Sequence, residues 1–191
     1  MAHEIVHVGD PVLRAVTKDI PIDEIGSARI QKLIADMKAL LAKEEYGVAL
    51  AAPQVGESLR LFIVAGKALA KRKKAAKQRA QEDTEEEKDA EELPVEDQVY
   101  INPVLLKLSR TKKEKHEGCL SVRGKWGMVP RAEKATVHAY DERGERFTRG
   151  ASGLLAHIFQ HELDHLEGIL YTDKAKELYD ESKSTEYVRQ E

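Results

Sequence analysis

The 191-residue sequence predicts a single α+β domain. Three observations point to it: a helical apolar repeat near the N-terminus, short β-rich runs with a turn signal, and an apolar periodic run rich in histidine toward the C-terminus. Ile30, Leu33, Ile34, Met37, Leu40 and Leu41 recur at helical spacing, so this segment buries one face. Arg60–Ala65 and Gln98–Asn102 carry apolar, β-branched and aromatic residues at their centres, and they read as strands. Ala135–Tyr140 and Glu145–Thr148 read as a hairpin that turns at Asp141–Gly144. Leu154, Leu155, Ile158 and Phe159 would bury a second helix, capped by Ser152 and running to about Glu167 before Gly168 stops it.

Two stretches stand apart. About 66–98 is basic in its first half (Lys67 to Arg79) and acidic in its second (Glu82 to Glu92). One continuous helix there would oppose its own macrodipole, so a solvated, partly helical insertion or a hairpin pairing the halves is expected. The tail from about 172 to 191 is polar and reads as a surface helix. A net charge of −3 gives no case for nucleic-acid binding, and no apolar run approaches membrane-spanning length. The N-terminus lacks a signal-peptide layout, and the single cysteine gives no sign of an oxidising compartment. A cytoplasmic protein is expected, without excluding an organelle.

The chemistry gathers around Gln160-His161-Glu162-Leu163-Asp164-His165. Histidines four residues apart share a helix face and can hold one metal ion, with Glu162 beside them to move protons for a water. Cys119, in Glu117-Gly118-Cys119-Leu120-Ser121, is the expected third ligand, because glycine and polar neighbours suit a backbone that delivers sulfur to a site. Cys plus two His leaves the fourth tetrahedral position open, as in catalytic sites. His157 continues the series, but it lies about 12 Å along the axis from His165, too far to share the ion; a pocket or supporting role is expected instead. The small-residue run Gly47 to Gly56 would let an extended substrate approach the main chain, with Gln54 donating hydrogen bonds. Its alternative reading is a tightly packed loop or strand. No phosphate-cradling glycine motif is present.

In order along the chain, GVALAAPQ, EGCLS and QHELDH resemble the three signature motifs of the peptide deformylases. HVGDPVLR, YINP, VPRAEK and GLLAHIFQHELDHLEGILY extend the resemblance, which leaves out only 66–98 and the tail. The resemblance implies antiparallel strands around a central metal-binding helix, with a C-terminal helix. It implies hydrolysis of the formyl group from the initiator methionine of nascent peptides, with release of formate. Cys119, His161 and His165 would be ligands to Fe²⁺, with Ni²⁺, Co²⁺ or Zn²⁺ as alternatives, and Glu162 the general acid/base. Gln54 and the Leu120 N–H would form an oxyanion hole, Gly47 and Val48 an edge for the substrate backbone, and Asp164 and Arg131 a supporting ion pair. Ribosome association is known for some members, though the slightly acidic tail weakens that inference here. The chain departs from the family at Ala49, normally glycine, and in Val122–Gly127, where many members present an arginine. Another metallohydrolase, such as a peptidase, and a non-catalytic metal-binding module are the rival readings. Cysteine as third ligand argues against the first, Glu162 with Gln54 against the second.

Overall fold

The structure, a computed structural model, describes residues 3–69 and 96–180. Helix α1 (Ala28–Lys43) starts at Ser27, whose side chain accepts the Ile30 N–H, and buries Ile30, Leu33, Ile34, Met37 and Leu41, as the periodicity predicts. A five-stranded antiparallel sheet runs in the order β1 (Ala49–Ala51), β2 (Leu61–Val64), β3 (Gln98–Leu108), β6 (Lys134–Tyr140), β7 (Arg146–Ser152). A second sheet joins β4 (Lys112–Cys119), β5 (Val122–Ala132) and β8 (Glu177–Asp180), also antiparallel.

Helix α2 (Leu154–Leu166) lies between the sheets and is the central element. Side chains alternate faces along a strand, so Leu61 and Ile63 of β2 meet α1 while Phe62 and Val64 meet α2. Phe62 stacks on Tyr100 with ring centroids 4.6 Å apart, and Tyr100 meets Phe159 of α2 edge-on at 5.1 Å. Each such ring, fully buried, stabilises the fold by roughly 1.5–3 kcal/mol. This packing holds α2 at a fixed height over the large sheet.

The structure corrects several expected boundaries. Ser152 ends β7, and Gly153 takes the cap position of α2 with φ 59° and ψ −135°, a conformation in effect open to glycine alone. β3 continues past Asn102 to Leu108 although Pro103 lacks an N–H for the ladder. Asn102 makes this possible: at φ 48° it bulges, its side chain bonds the Ile20 backbone N and O at 2.8 and 2.7 Å, and the register with β6 shifts there. The expected C-terminal helix is present as a short helix α3 (Tyr171–Lys174), and in the described part of the tail strand β8 follows it. Gly127 on β5 allows this, because a Cβ there would stand 2.9 Å from Ala175 and 3.0 Å from Leu178. Residues 181–191 and 70–95, which hold the rest of the tail and most of the charged insertion, lie outside the described residues. The ends of the insertion meet, with the Gly66 N–H donating to Asp97 at 2.8 Å.

Candidate metal centre

Helix α2 is locked in rotation by Gln160. Its Oε1 accepts the Ala132 N–H and its Nε2 donates to the Ala132 carbonyl, both at 2.9 Å, so the helix is tied to the end of β5 as another strand would be. With that face fixed, His157, His161 and His165 turn toward the three-stranded sheet, one helical turn apart. Cys119 arrives from β4, where a register irregularity between Glu117 and Cys119 precedes the Leu120–Ser121 turn.

Candidate ligand atoms of Cys119, His161 and His165 lie within 4.8 Å of one another. Cys119 Sγ is 3.2 Å from His165 Nε2. Burial would raise the Cys119 thiol, but His165 and His161 outweigh it and hold the thiol well below its ordinary range. His161 moves the opposite way: burial opposes its charge, yet Cys119 and Glu117 raise it well above the usual imidazole value. A thiolate and two imidazoles at this separation are the donor set of a first-row divalent ion, and three protein ligands leave a position for water or substrate. The residues therefore fit a catalytic metal site.

Glu162 is 3% exposed, and its Oε2 has no hydrogen-bond partner among the described residues. Burial raises its carboxyl to about 7, against the lowering effect of His161 and His165, and the Cys119 charge raises it further. A carboxyl poised there, close enough to feel all three candidate ligands, is suited to exchange protons near neutral pH.

Glu117, in the sequence only a polar neighbour of the cysteine, organises the site. Its Oε1 accepts from Arg131 Nε at 2.6 Å and His157 Nε2 at 2.7 Å. Its Oε2 accepts from Arg131 Nη2 at 3.0 Å and His161 Nδ1 at 2.8 Å. Burial alone would raise this carboxyl, but the donors hold it well below the usual carboxylate range. Binding His161 through Nδ1 makes that nitrogen the protonated one and leaves Nε2 for a metal, the usual carboxylate–histidine arrangement. The sequence carries no local signal for this role, because Arg131, His157 and His161 are all distant from Glu117 along the chain.

Arg131 Nη1 also bonds Asp164 at 2.6 Å, the ion pair expected from the resemblance, and Lys174 reaches Asp164 at 2.6 Å. Tyr171 stacks on His161, with centroids 6.2 Å apart and planes at 23°.

Gln54 is 2% exposed, in the turn after β1. Its Oε1 accepts the Ala51 N–H at 2.8 Å, which orients its NH₂ toward Cys119 Sγ and Ser121 Oγ, each 3.3 Å away. Leu120 stands in the adjoining turn, next to Cys119. Gly47 and Val48 lead into β1, and Gly47 has a packing reason of its own: a Cβ there would lie 2.8 Å from Glu44 Cβ. The methyl of Ala49 is buried in the core beneath α2. In the Val122–Gly127 stretch, Trp126 lies flat on Gly118, 3.3 Å from where a Cβ would stand, and Arg123 approaches Glu44 at 3.9 Å.

The polypeptide deformylase family model matches residues 2–181. Peptide deformylase 1A, chloroplastic/mitochondrial, of Arabidopsis thaliana is 42% identical over 180 residues, covering 90% of this chain. The chain spans only 60% of that plant relative's length. The peptide deformylase of Dictyoglomus turgidum is 38% identical, with 93% of this chain and 95% of the relative covered. Among solved structures, the Met-Ala-Ser-bound class I type b peptide deformylase of Acinetobacter baumannii superposes with a TM-score of 0.72 at 29% identity, covering 91% of this chain and 98% of that one.

Proposed function

The chain belongs to the polypeptide deformylase family, and from that premise we propose that it hydrolyses the N-formyl group of nascent peptides that begin with formylmethionine. The observation that carries this reading is the convergence of Cys119, His161 and His165, with buried Glu162 beside them. The relative that binds Met-Ala-Ser supports a peptide with N-terminal methionine as the ligand class.

A divalent ion held by Cys119, His161 and His165 would polarise the formyl oxygen and lower the pKa of water. We take Fe²⁺ as that ion, with Ni²⁺, Co²⁺ or Zn²⁺ as substitutes. Glu162 accepts a proton from the attacking water and returns it to the departing amine, so formate and a free N-terminus are released. Gln54 Nε2 and the Leu120 N–H donate to the oxygen that gains charge as the carbon becomes tetrahedral. Gly47 and Val48 lead into β1, the edge strand of the sheet among the described residues, and would let an extended peptide run beside it. Cytoplasmic location and association with ribosomes, where such chains emerge, belong to the same proposal. No helix among the described residues is long and apolar enough to cross a membrane.

Formate release from formyl-Met-Ala-Ser, with acetyl-Met-Ala-Ser and unblocked Met-Ala-Ser as comparisons, tests the reading. Release from the formylated peptide alone supports it. Cleavage of an internal peptide bond would instead make the protein a peptidase, and no turnover by the metal-loaded chain would leave a metal-binding module.

Two substitutions test the assigned parts. Cys119→Ala is expected to lower bound metal from about one ion per chain to well under half; unchanged stoichiometry by elemental analysis would remove Cys119 from the ligand set. Gln54→Ala should keep its metal and lose roughly 10²–10³-fold in kcat, the usual cost of an oxyanion donor. A loss confined to KM would show that Gln54 only binds substrate.

A further inference from the structure

The structure assigns His157 a place as a positioning residue: it acts through Glu117 to hold the metal-binding imidazole of His161, and it is not a contact for substrate. This inference rests on the proposed metallohydrolase reading and deepens it. His157 stands one helical turn before His161, so both rings reach the same carboxylate from α2. His157 Nε2 donates to Oε1 of Glu117 at 2.7 Å, and His161 Nδ1 donates to Oε2 at 2.8 Å. From β5, Arg131 donates to both oxygens, at 2.6 and 3.0 Å. A carboxylate has about four acceptor positions, and all are filled.

The consequence is mechanical. Arg131 alone would hold Glu117 by a fork about which the carboxylate can rock. The second donor from α2, His157, closes that freedom, because each oxygen is then held from both the strand and the helix. Glu117 is 2% exposed at its side chain and His157 14%, so little water is at hand to replace a lost donor. With the carboxylate steady, the His161 ring keeps its plane and presents Nε2 toward Cys119 and His165. Without His157, Oε1 keeps only its bond to Arg131, and the restraint on His161 loosens. The Nε2 of His157, spent on Glu117, is also withdrawn from any substrate.

The test compares full-length wild-type, His157→Leu, His157→Asn and His157→Gln proteins, each loaded with Co²⁺. Leu removes the donor at similar volume, Asn is too short to reach Glu117, and Gln places an amide N–H near the position of Nε2. His157→Leu and His157→Asn are expected to release Co²⁺ to a chelator about tenfold faster than wild type. Their kcat on formyl-Met-Ala-Ser falls while KM stays within about twofold, and His157→Gln restores both quantities. Equal Co²⁺ release rates in wild type and His157→Asn would overturn the inference, as would a rise in KM with kcat unchanged. Should His157→Leu not fold, the Asn and Gln pair decides alone. If wild type releases no formate, the proposed reaction fails, whereas the Co²⁺ release rates still decide the role of His157.

Discussion

Glu162→Ala is expected to retain its metal and its fold while kcat falls roughly 10³-fold or more, toward the upper end of what a general acid/base contributes. The physical basis is the separation of duties within α2. His161 and His165 belong to the candidate ligand cluster, and Glu162 sits beside them with no partner for its Oε2 among the described residues. Its carboxyl is raised to about 7 chiefly by burial, so the protein holds a group that its own packing disfavours in charged form. A buried polar atom without a partner costs stability, so its retention here points to a task. Removing it should therefore not lower the melting temperature of the metal-free chain, and loss of turnover could not be blamed on unfolding. Metal analysis, thermal denaturation and kcat measured on one preparation check all three statements. Turnover within tenfold of wild type in a metal-loaded Glu162→Ala protein would show that another group moves the proton.

What the sequence made legible was whatever depends on short-range spacing. The α1 face followed from a 3.6-residue period, and the structure buries five of its residues, Ile30, Leu33, Ile34, Met37 and Leu41. His161 and His165 were legible because one helical turn brings them together whatever the rest of the chain does. Cys119 needed an argument from its neighbours, since nothing local ties a strand end to a helix lying dozens of residues on. What failed was long-range. β4 (KKEKHEGC) carries too many charges to read as a strand, and its identity comes from pairing with β5. β8 has no strand signal of its own, because its pairing with β5 depends on the absent side chain of Gly127. Glu117 was passed over for the same reason: its significance comes from Arg131 on the next strand and from two histidines on α2, none adjacent to it in sequence. Ser152 failed differently. It is a good capping residue by type, but the chain enters α2 from β7 through a backbone angle that only glycine tolerates well, so the cap moved one place on.

Arg131→Met is expected to be the most destabilising single change near the site, by about 3–5 kcal/mol. On a domain of this size that corresponds to a melting point lower by roughly 10 °C. Arg131 is 4% exposed and joins three elements: its Nε and Nη2 bind Glu117 of β4, and its Nη1 binds Asp164 of α2. Both carboxylates lose a cation in the variant, but unequally. Asp164 keeps Lys174 at 2.6 Å and is partly open to solvent, whereas Glu117 is left buried with only imidazole donors. The cost therefore lies mainly at Glu117, and it is a cost of uncompensated charge more than of lost contact. That distinction can be measured. Adding Glu117→Gln to Arg131→Met removes the stranded charge, so the double variant should recover a good part of the lost stability, with a coupling energy well outside additivity. It should not recover metal affinity, because the restraint on His161 Nδ1 is weakened in both proteins. Denaturant titrations of the metal-free wild type, the two single variants and the double variant decide the matter. Simple additivity of the two losses would mean that Glu117 and Arg131 stabilise the fold separately, and the account of a shared buried charge network would be wrong.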